Sequence, residues 1–283
     1  MPPRTMPSQR QKRLGAEVRK LRTNAGMSAE YAAGLLGTDR AKISNIESGI
    51  RNITPERVRT LATHCECTDE EFVSALTELT QLPRKNWWDE YRGKLSLGLL
   101  DIAELEWHSV GIQTVQTVHL PGLLQTEEYA RNVFASGLPE LSRLDIELRV
   151  AHRMSRQQVL GREQPINYVS YIHEAALRMR FGGREVTREQ LRSLLSDSER
   201  ANISIRVIPV ERGNFPGAGH ALLYSEAPVQ QLDTAQLDSA HGPEFLHSDS
   251  HLSKYRKHLE WMERETLPVD ASRDFIHGII REL

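Results

Sequence analysis

The chain has 283 residues, of which 39% are hydrophobic and 26% are charged, and its formal net charge is −2. This length exceeds that of one small helical unit and is enough for two domains with sizeable cores. A net charge so close to zero is not typical of a protein that binds nucleic acid with its whole surface. No stretch approaches the ~18–20 consecutive apolar residues of a membrane span, so we expect no contact with a membrane.

The cysteines and the first residues indicate the cellular compartment of the protein. Cys65 and Cys67 are the only cysteines, and the one residue between them is too short a separation for an ordinary disulfide. Free thiols favour a reducing compartment. Residues 1–8 are Pro-rich and lack the apolar stretch that a signal peptide contains. We therefore expect a cytoplasmic protein. His64 lies beside the cysteines, but no second ligand pair completes a tetrahedral zinc site, so we predict no metal ion.

Positive charge is concentrated in the first part of the chain. Residues 1–59 contain 12 Lys/Arg and 5 Asp/Glu, a net charge of +7, which leaves −9 for the remainder. Such an asymmetry is typical of a small domain that contacts phosphates next to a larger domain that does not.

The first elements in chain order are a disordered arm and a helix. Residues 1–9 are predicted to form the arm. From residue 10 to 25, Leu14, Val18 and Leu21 recur at helical spacing, and Gly26 ends this helix.

Residues 28–49 predict two short helices separated by a tight turn at Gly37. Ser28 can cap the first helix, and Thr38 or Asp39 can cap the second, which runs to about Glu47. Gly49 follows as a C-terminal glycine.

The second of these helices has two different faces. Ile43 and Ile46 point to one side, whereas Arg40, Ala41, Ser44 and Asn45 point largely away from it. A buried aliphatic stripe opposite arginine, small and amide side chains suits the major groove of DNA. The alternative is an ordinary solvated helix pair.

Two further helices complete the predicted first domain, residues 10–82. Thr54-Pro55-Glu56 combines a cap, a proline in the first turn and an acid near the positive end of the helix dipole. Thr68 and Glu71 form a predicted capping box for the fifth helix, which continues to about Leu82.

Residues 36–49, Leu-Gly-Thr-Asp-Arg-Ala-Lys-Ile-Ser-Asn-Ile-Glu-Ser-Gly, resemble the helix-turn-helix of the Xre/Cro (phage-repressor) family. Residues 14–22 and 25–28 are similar to the first helix of that family and its exit turn. The resemblance implies an all-α, lambda-repressor-like domain of five helices that binds double-stranded DNA. Ala29 departs from the family, in which Gln is common at this position. The candidate DNA-binding residues are Ser28, Thr38, Arg40, Ala41, Lys42, Ser44, Asn45 and Arg51.

The same resemblance implies a structural ion pair between Arg22 and Glu47. A phosphate contact is the alternative role for Arg22.

The rest of the chain is predicted to be a linker, residues 83–98, and a larger α+β domain, residues 99–283. Trp87 and Trp88 are interpreted as side chains that dock the linker on this domain. The sheet is expected to be mixed or antiparallel. Predicted helices span 99–107, 127–136, 144–160, 188–195, 252–265 and 270–281, and predicted strands span 112–118, 166–172, 203–208 and 221–224.

Residues 120–130, Leu-Pro-Gly-Leu-Leu-Gln-Thr-Glu-Glu-Tyr-Ala, are similar to a segment of actinobacterial Xre-type regulators of the WhiJ-like family, and residues 150–153, 173–178 and 189–191 fit the same family. The resemblance implies a regulator encoded beside a small partner protein, in some cases as a toxin–antitoxin pair. The residues of 120–130 fit a structural corner, and a ligand contact is the alternative.

No set of residues in the second domain has a recognised catalytic spacing. His108, His119, His152, His173 and His220 are available together with several acids, but they form no known pattern. We therefore predict no enzyme, no catalytic residue and no cofactor. The sequence predicts a DNA-binding transcriptional regulator that acts as a homodimer on an inverted repeat, and its alternative is an antitoxin-like protein modulated by a small partner protein.

Overall fold

The computed structural model describes residues 6–81, 86–239 and 241–283. The chain divides into two compact units, which are residues 1–86 with Pro228–Leu232, and Trp87–Ala227 with Asp233–Leu283. Residues 1–5 of the predicted arm and 82–85 at the predicted domain boundary lie outside the described residues.

The first unit is helical, and the predicted five-helix fold is confirmed. Its core is made of aliphatic and small side chains from every helix, with Phe72 as the aromatic member. The helices are α1 (Gln9–Asn24), α2 (Ala29–Leu35), α3 (Arg40–Glu47), α4 (Pro55–His64) and α5 (Glu70–Leu79).

Two helix starts differ from the prediction. Ser8, which the sequence places in the arm, caps α1: its hydroxyl accepts a hydrogen bond from the Gln11 N–H, and its own N–H donates to Gln11 Oε1 at 2.9 Å. Asp69 rather than Thr68 caps α5, because its carboxylate accepts the Phe72 N–H at 2.9 Å. Aspartate is among the strongest N-cap residues and is closer to the helix. The helix ends at Leu79, three residues before the predicted end.

The second unit is built on a mixed six-stranded sheet, as expected for an α+β domain. The strands are β1 (Gly111–Gln116), β2 (Asn167–His173), β3 (Ile203–Ile208), β4 (Leu222–Glu226), β5 (Thr234–Ser239) and β6 (Gly242–Leu246). Their order is β3-β2-β1-β4-β5-β6. The pairs among β1, β2 and β3 are parallel, and those from β1 through β4 and β5 to β6 are antiparallel.

Helices cover both faces of this sheet, because successive strand side chains point to opposite sides. Ile112 and Tyr168 face a core that includes Leu191 and Ile276. Val115 and its neighbours on the other face pack against the helix Asp249–Glu265. The helices are α6 (Leu97–His108), α7 (Glu127–Ala135), α8 (Arg143–Arg156), α9 (Glu174–Arg178), α10 (Gly183–Asp197), α11 (Asp249–Glu265) and α12 (Val269–Glu282).

The tryptophan pair belongs to the second unit. Trp87–Tyr91 forms a 3-10 helix, and Trp88 is buried against Leu100 and Ala103. Much of the segment predicted as a linker is therefore ordered in this unit, and α6 begins at Leu97 rather than Leu99. No helix within the described ranges is both long and apolar enough to cross a membrane.

Candidate nucleic-acid interface

The α2–turn–α3 segment is fixed by short-range hydrogen bonds. Ser28 Oγ accepts the Tyr31 N–H at 3.1 Å and so caps α2. Gly37 has a φ of 59°, a left-handed conformation that favours glycine, and the Thr38 N–H donates to the Ala33 carbonyl at 2.8 Å. The Asp39 carboxylate accepts the Lys42 N–H at 2.8 Å, which makes Asp39 the cap of α3. These bonds set the angle between the two helices.

Helix α3 has one buried and one exposed face. Ile43 and Ile46 are each only 2% exposed. The opposite face is formed by exposed side chains of arginine, small and amide residues, namely Arg40, Ala41, Ser44 and Asn45. The sequence-predicted base-contacting residues are therefore brought together on one solvent-facing side of one helix.

Helix α1 holds α3 in place through a backbone contact as well as through side chains. A Cβ atom at Gly15 would lie 2.5 Å from the Ile46 carbonyl oxygen and 2.6 Å from that of Glu47. Only a glycine lets the two helices approach this closely. Arg22, near the end of α1, also binds Glu47 at the end of α3, so the structure places Arg22 in an ion pair within the domain.

Two basic side chains lie on or beside the exposed face of α3. Arg40 pairs with Glu30 at 3.0 Å, and Lys42 pairs with Asp39 at 2.9 Å. The hydrogen bonds that Lys42 donates hold the pKa of Asp39 below its usual range. Exposed pairs of this kind contribute little free energy, so an approaching phosphate can replace the carboxylate.

The remaining predicted residues lie at the two ends of the helices. Arg51 is exposed just beyond α3, and its backbone N–H donates to the Asn45 carbonyl at 3.0 Å. Ser28 is exposed at the start of α2, and Thr38 is half-buried in the turn. All eight candidate residues thus lie in the segment from the start of α2 to the loop after α3.

The sequence did not single out Tyr31, which is 62% exposed in the first turn of α2. A helix of seven residues is too short for a clear 3.6-residue pattern, so the exposure of this aromatic ring could not be predicted from the sequence. The Tyr31 side chain carries a hydroxyl group that can form hydrogen bonds.

Two protein families match the chain. Residues 13–75, which extend from α1 into α5, match a family described as a helix-turn-helix domain. Residues 99–278 match a family described as a domain of unknown function, DUF5753, and this match covers more than half of the chain. No match was found among curated proteins or among solved structures. The helix-turn-helix match and the exposed face of α3 both point to DNA binding by a regulator. The chain belongs to the DUF5753 family and carries a helix-turn-helix domain before the DUF5753 domain.

Proposed function

We propose that the protein is a sequence-specific transcriptional regulator of the Xre (Cro/C1) type, with α3 as the helix that enters the major groove. The exposed face of α3 is the observation that carries this proposal. The Arg40 guanidinium has the geometry to donate two hydrogen bonds to a guanine, and the Asn45 amide can pair with an adenine. Ala41 and Ser44 are small enough to let the helix approach the bases closely.

Phosphate contacts fix the register of such a helix on DNA. Lys42 and Arg51 lie beside the base-reading face and are suited to this role. Ser28 and Thr38 mark the start of α2 and the turn, where backbone N–H groups and hydroxyls can reach the phosphate backbone. The net charge of +7 in residues 1–59 supports the same orientation.

A single α3 reads only a few base pairs, too few to select one operator among the competing sites of a genome. We therefore propose a homodimer on an inverted repeat, with half-sites ~34 Å apart. The first unit is small and rather polar, so we place dimerisation in the larger second unit, together with the binding of a signal or a partner.

The resemblance to actinobacterial WhiJ-like regulators supports a narrower alternative. In this version the protein resembles an antitoxin, is modulated by a small protein encoded nearby, and controls its own operon. The cytoplasm is the expected location in both versions.

A gel-shift experiment with the full-length protein tests the proposal. The DNA upstream of its own gene should form a complex that an excess of unrelated DNA does not displace. Arg40→Ala with Asn45→Ala should abolish this preference. Arg59→Ala, the same type of charge loss at an exposed position in α4, is the control and should retain it.

Equal binding to all DNA sequences would contradict the proposal. Repeating the titration with the neighbouring small protein separates the two versions, because only the antitoxin-like version predicts that this protein changes the affinity for DNA.

A further inference from the structure

The second unit contains a cavity of about 570 Å³. This volume lies within the range of small-molecule sites in proteins. Thr114 of β1, Tyr168 of β2 and Gln236 of β5 contribute polar atoms to its wall on the sheet side. Exposed Asp238 and Ser239 at the end of β5 also line it, which places an opening there.

Three arginines of α8 line this cavity, and one of them forms an ion pair in the part of the chain that the structure describes. Arg156 is buried and binds Glu106, with Nε–Oε2 and Nη2–Oε1 distances of 2.8 and 2.5 Å. Arg149 and Arg153 have no carboxylate within ion-pair distance among the described residues. The Nε atoms of both are shielded from solvent and have no hydrogen-bond partner in the described part of the chain. Both side chains are half-buried, and an Nε–H group that is shielded from solvent without an acceptor is energetically unfavourable.

The orientation of Arg153 is set by its neighbours. Gln125 accepts a hydrogen bond from Arg153 Nη1 at 2.6 Å, and its own amide nitrogen donates to the Leu120 carbonyl at 2.7 Å. The guanidinium carbon lies 4.6 Å from the centre of the Phe134 ring. Gly122 lies against the guanidinium, since a Cβ there would be 3.5 Å from Nη1, an ordinary van der Waals contact. The segment 120–130 is thus a structural corner that also positions an arginine at the cavity.

The cavity carries a net positive charge, because Arg149, Arg153 and Arg156 outnumber the two carboxylates among its lining residues, Glu106 and Asp238. Burial, and then the charge of Arg156, lower the pKa of Arg153 to about 9, although Glu106 and Asp238 act in the opposite direction. Burial and the charge of Arg153 likewise lower the pKa of His119, which also lines the cavity, although Asp238 acts in the opposite direction. An anion beside Arg153 would relieve this repulsion.

The other walls are apolar, with Leu99, Ile102, Leu123 and Val133 among the lining side chains. We propose that this cavity binds a small organic anion, whose carboxylate or phosphate group is held by Arg149 and Arg153 and whose apolar body contacts these aliphatic residues. The planar guanidinium fork binds either oxyanion with two hydrogen bonds. This inference deepens the signal-binding role proposed for the second unit and does not depend on DNA binding.

Calorimetric titration of the full-length protein, without DNA, tests the inference. The probes are naphthylacetate, naphthyl phosphate, the neutral naphthylmethanol, the cationic naphthylmethylamine and inorganic phosphate. At least one of the two aromatic anions should bind about tenfold or more tightly than the alcohol and the amine, because a hydrogen bond to a charged group contributes at least that much. Their ranking shows whether the carboxylate or the phosphate is preferred, and inorganic phosphate should bind more weakly than the better of the two because it lacks the apolar body.

Three variants assign the binding to the cavity. Arg149→Gln and Arg153→Gln should each weaken anion binding about tenfold or more. Arg143→Gln, the same change at an exposed position of α8 outside the cavity, should leave it unchanged. Arg149 has no ion pair to lose within the described residues, so Arg149→Gln decides the matter if Arg153→Gln does not fold. The inference is overturned if naphthylmethanol binds as tightly as naphthylacetate and naphthyl phosphate. It is also overturned if Arg149→Gln and Arg153→Gln bind the anions as tightly as Arg143→Gln does.

Discussion

Arg22 of α1 and Glu47 of α3 form an ion pair with two hydrogen bonds. The distances are 2.5 Å from Nε to Oε1 and 3.0 Å from Nη2 to Oε2. The side chains are only 12% and 10% exposed, and Arg22 also donates to the Met27 carbonyl at 2.7 Å. The bond to Glu47 raises the pKa of the Arg22 guanidinium. The pair therefore joins the end of the proposed recognition helix to α1 and to the turn before α2.

Glu47→Ala should destabilise the first unit by ~3–5 kcal/mol, because it leaves a mostly buried arginine without its anion. Differential scanning calorimetry of the full-length protein measures this. Glu30→Ala is the matched control, since the Glu30–Arg40 pair is exposed, and it should cost less than ~1 kcal/mol. An unchanged unfolding transition together with lost DNA binding would instead assign Glu47 to the interface.

Gly15→Ala should destabilise the first unit by ~1–3 kcal/mol, because the added methyl group overlaps the carbonyl groups of Ile46 and Glu47. Gly34→Ala in α2 is the control: its Cβ would meet nothing within 4 Å, and alanine is the better helix former. Chemical denaturation should show opposite signs for the two variants. If both variants are equally stable, α1 does not pack on α3 as closely as described.

Lys42→Ala should weaken binding to all DNA sequences equally and lower the slope of log K against log salt by about one unit. Arg40→Ala should weaken binding to the operator by ~1–3 kcal/mol and relax the preference at one base pair. Fluorescence anisotropy at several salt concentrations, on operator and unrelated DNA, distinguishes the two effects. A uniform loss with Arg40→Ala would show that Arg40 contacts phosphate instead of a base.

His152 should make the second unit less stable as the pH falls. Burial and two neighbouring arginines lower its pKa to about 3, and its Nε2 atom is shielded without a partner in the described residues. The unfolded chain takes up this proton near pH 6.5, so stability is lost between about pH 6.5 and 3, at up to about 1.4 kcal/mol per pH unit. Denaturant unfolding of His152→Asn at several pH values should lack this contribution to the fall of the unfolding free energy with falling pH. His277→Gln, at an exposed position of α12, should keep it.

Much of the fold could be predicted because caps and apolar spacing act locally. Ser28, Gly37 and Thr54 lie where the sequence places the helix starts and the turn, and β3 has the predicted bounds. Helix α9 was not predicted, because five residues are too few to show a period. Strand β5 was not predicted either, because Ala235 and Leu237 are its only apolar residues and alanine is a weak strand former.

The α3 face could be predicted for the same local reason, since eight residues between a cap and a glycine define which side chains point outward. The cavity could not be predicted. Arg149, Arg153 and Arg156 are spaced like the solvated face of a helix, and only long-range packing shows that Glu106 neutralises one of them. The contact between Gly15 and the end of α3 is equally non-local, because the residues involved are about thirty positions apart.

Footprinting and methylation interference on the DNA upstream of the gene, with the full-length protein and excess competitor DNA, test whether α3 is the recognition helix. We expect two protected half-sites of an inverted repeat, ~34 Å apart, in which methylation of guanine N7 in the major groove blocks binding. Arg40→Ala should remove the interference at one guanine in each half-site. Protection of no discrete sequence, or interference confined to the minor groove, would contradict the assignment of α3 as the recognition helix.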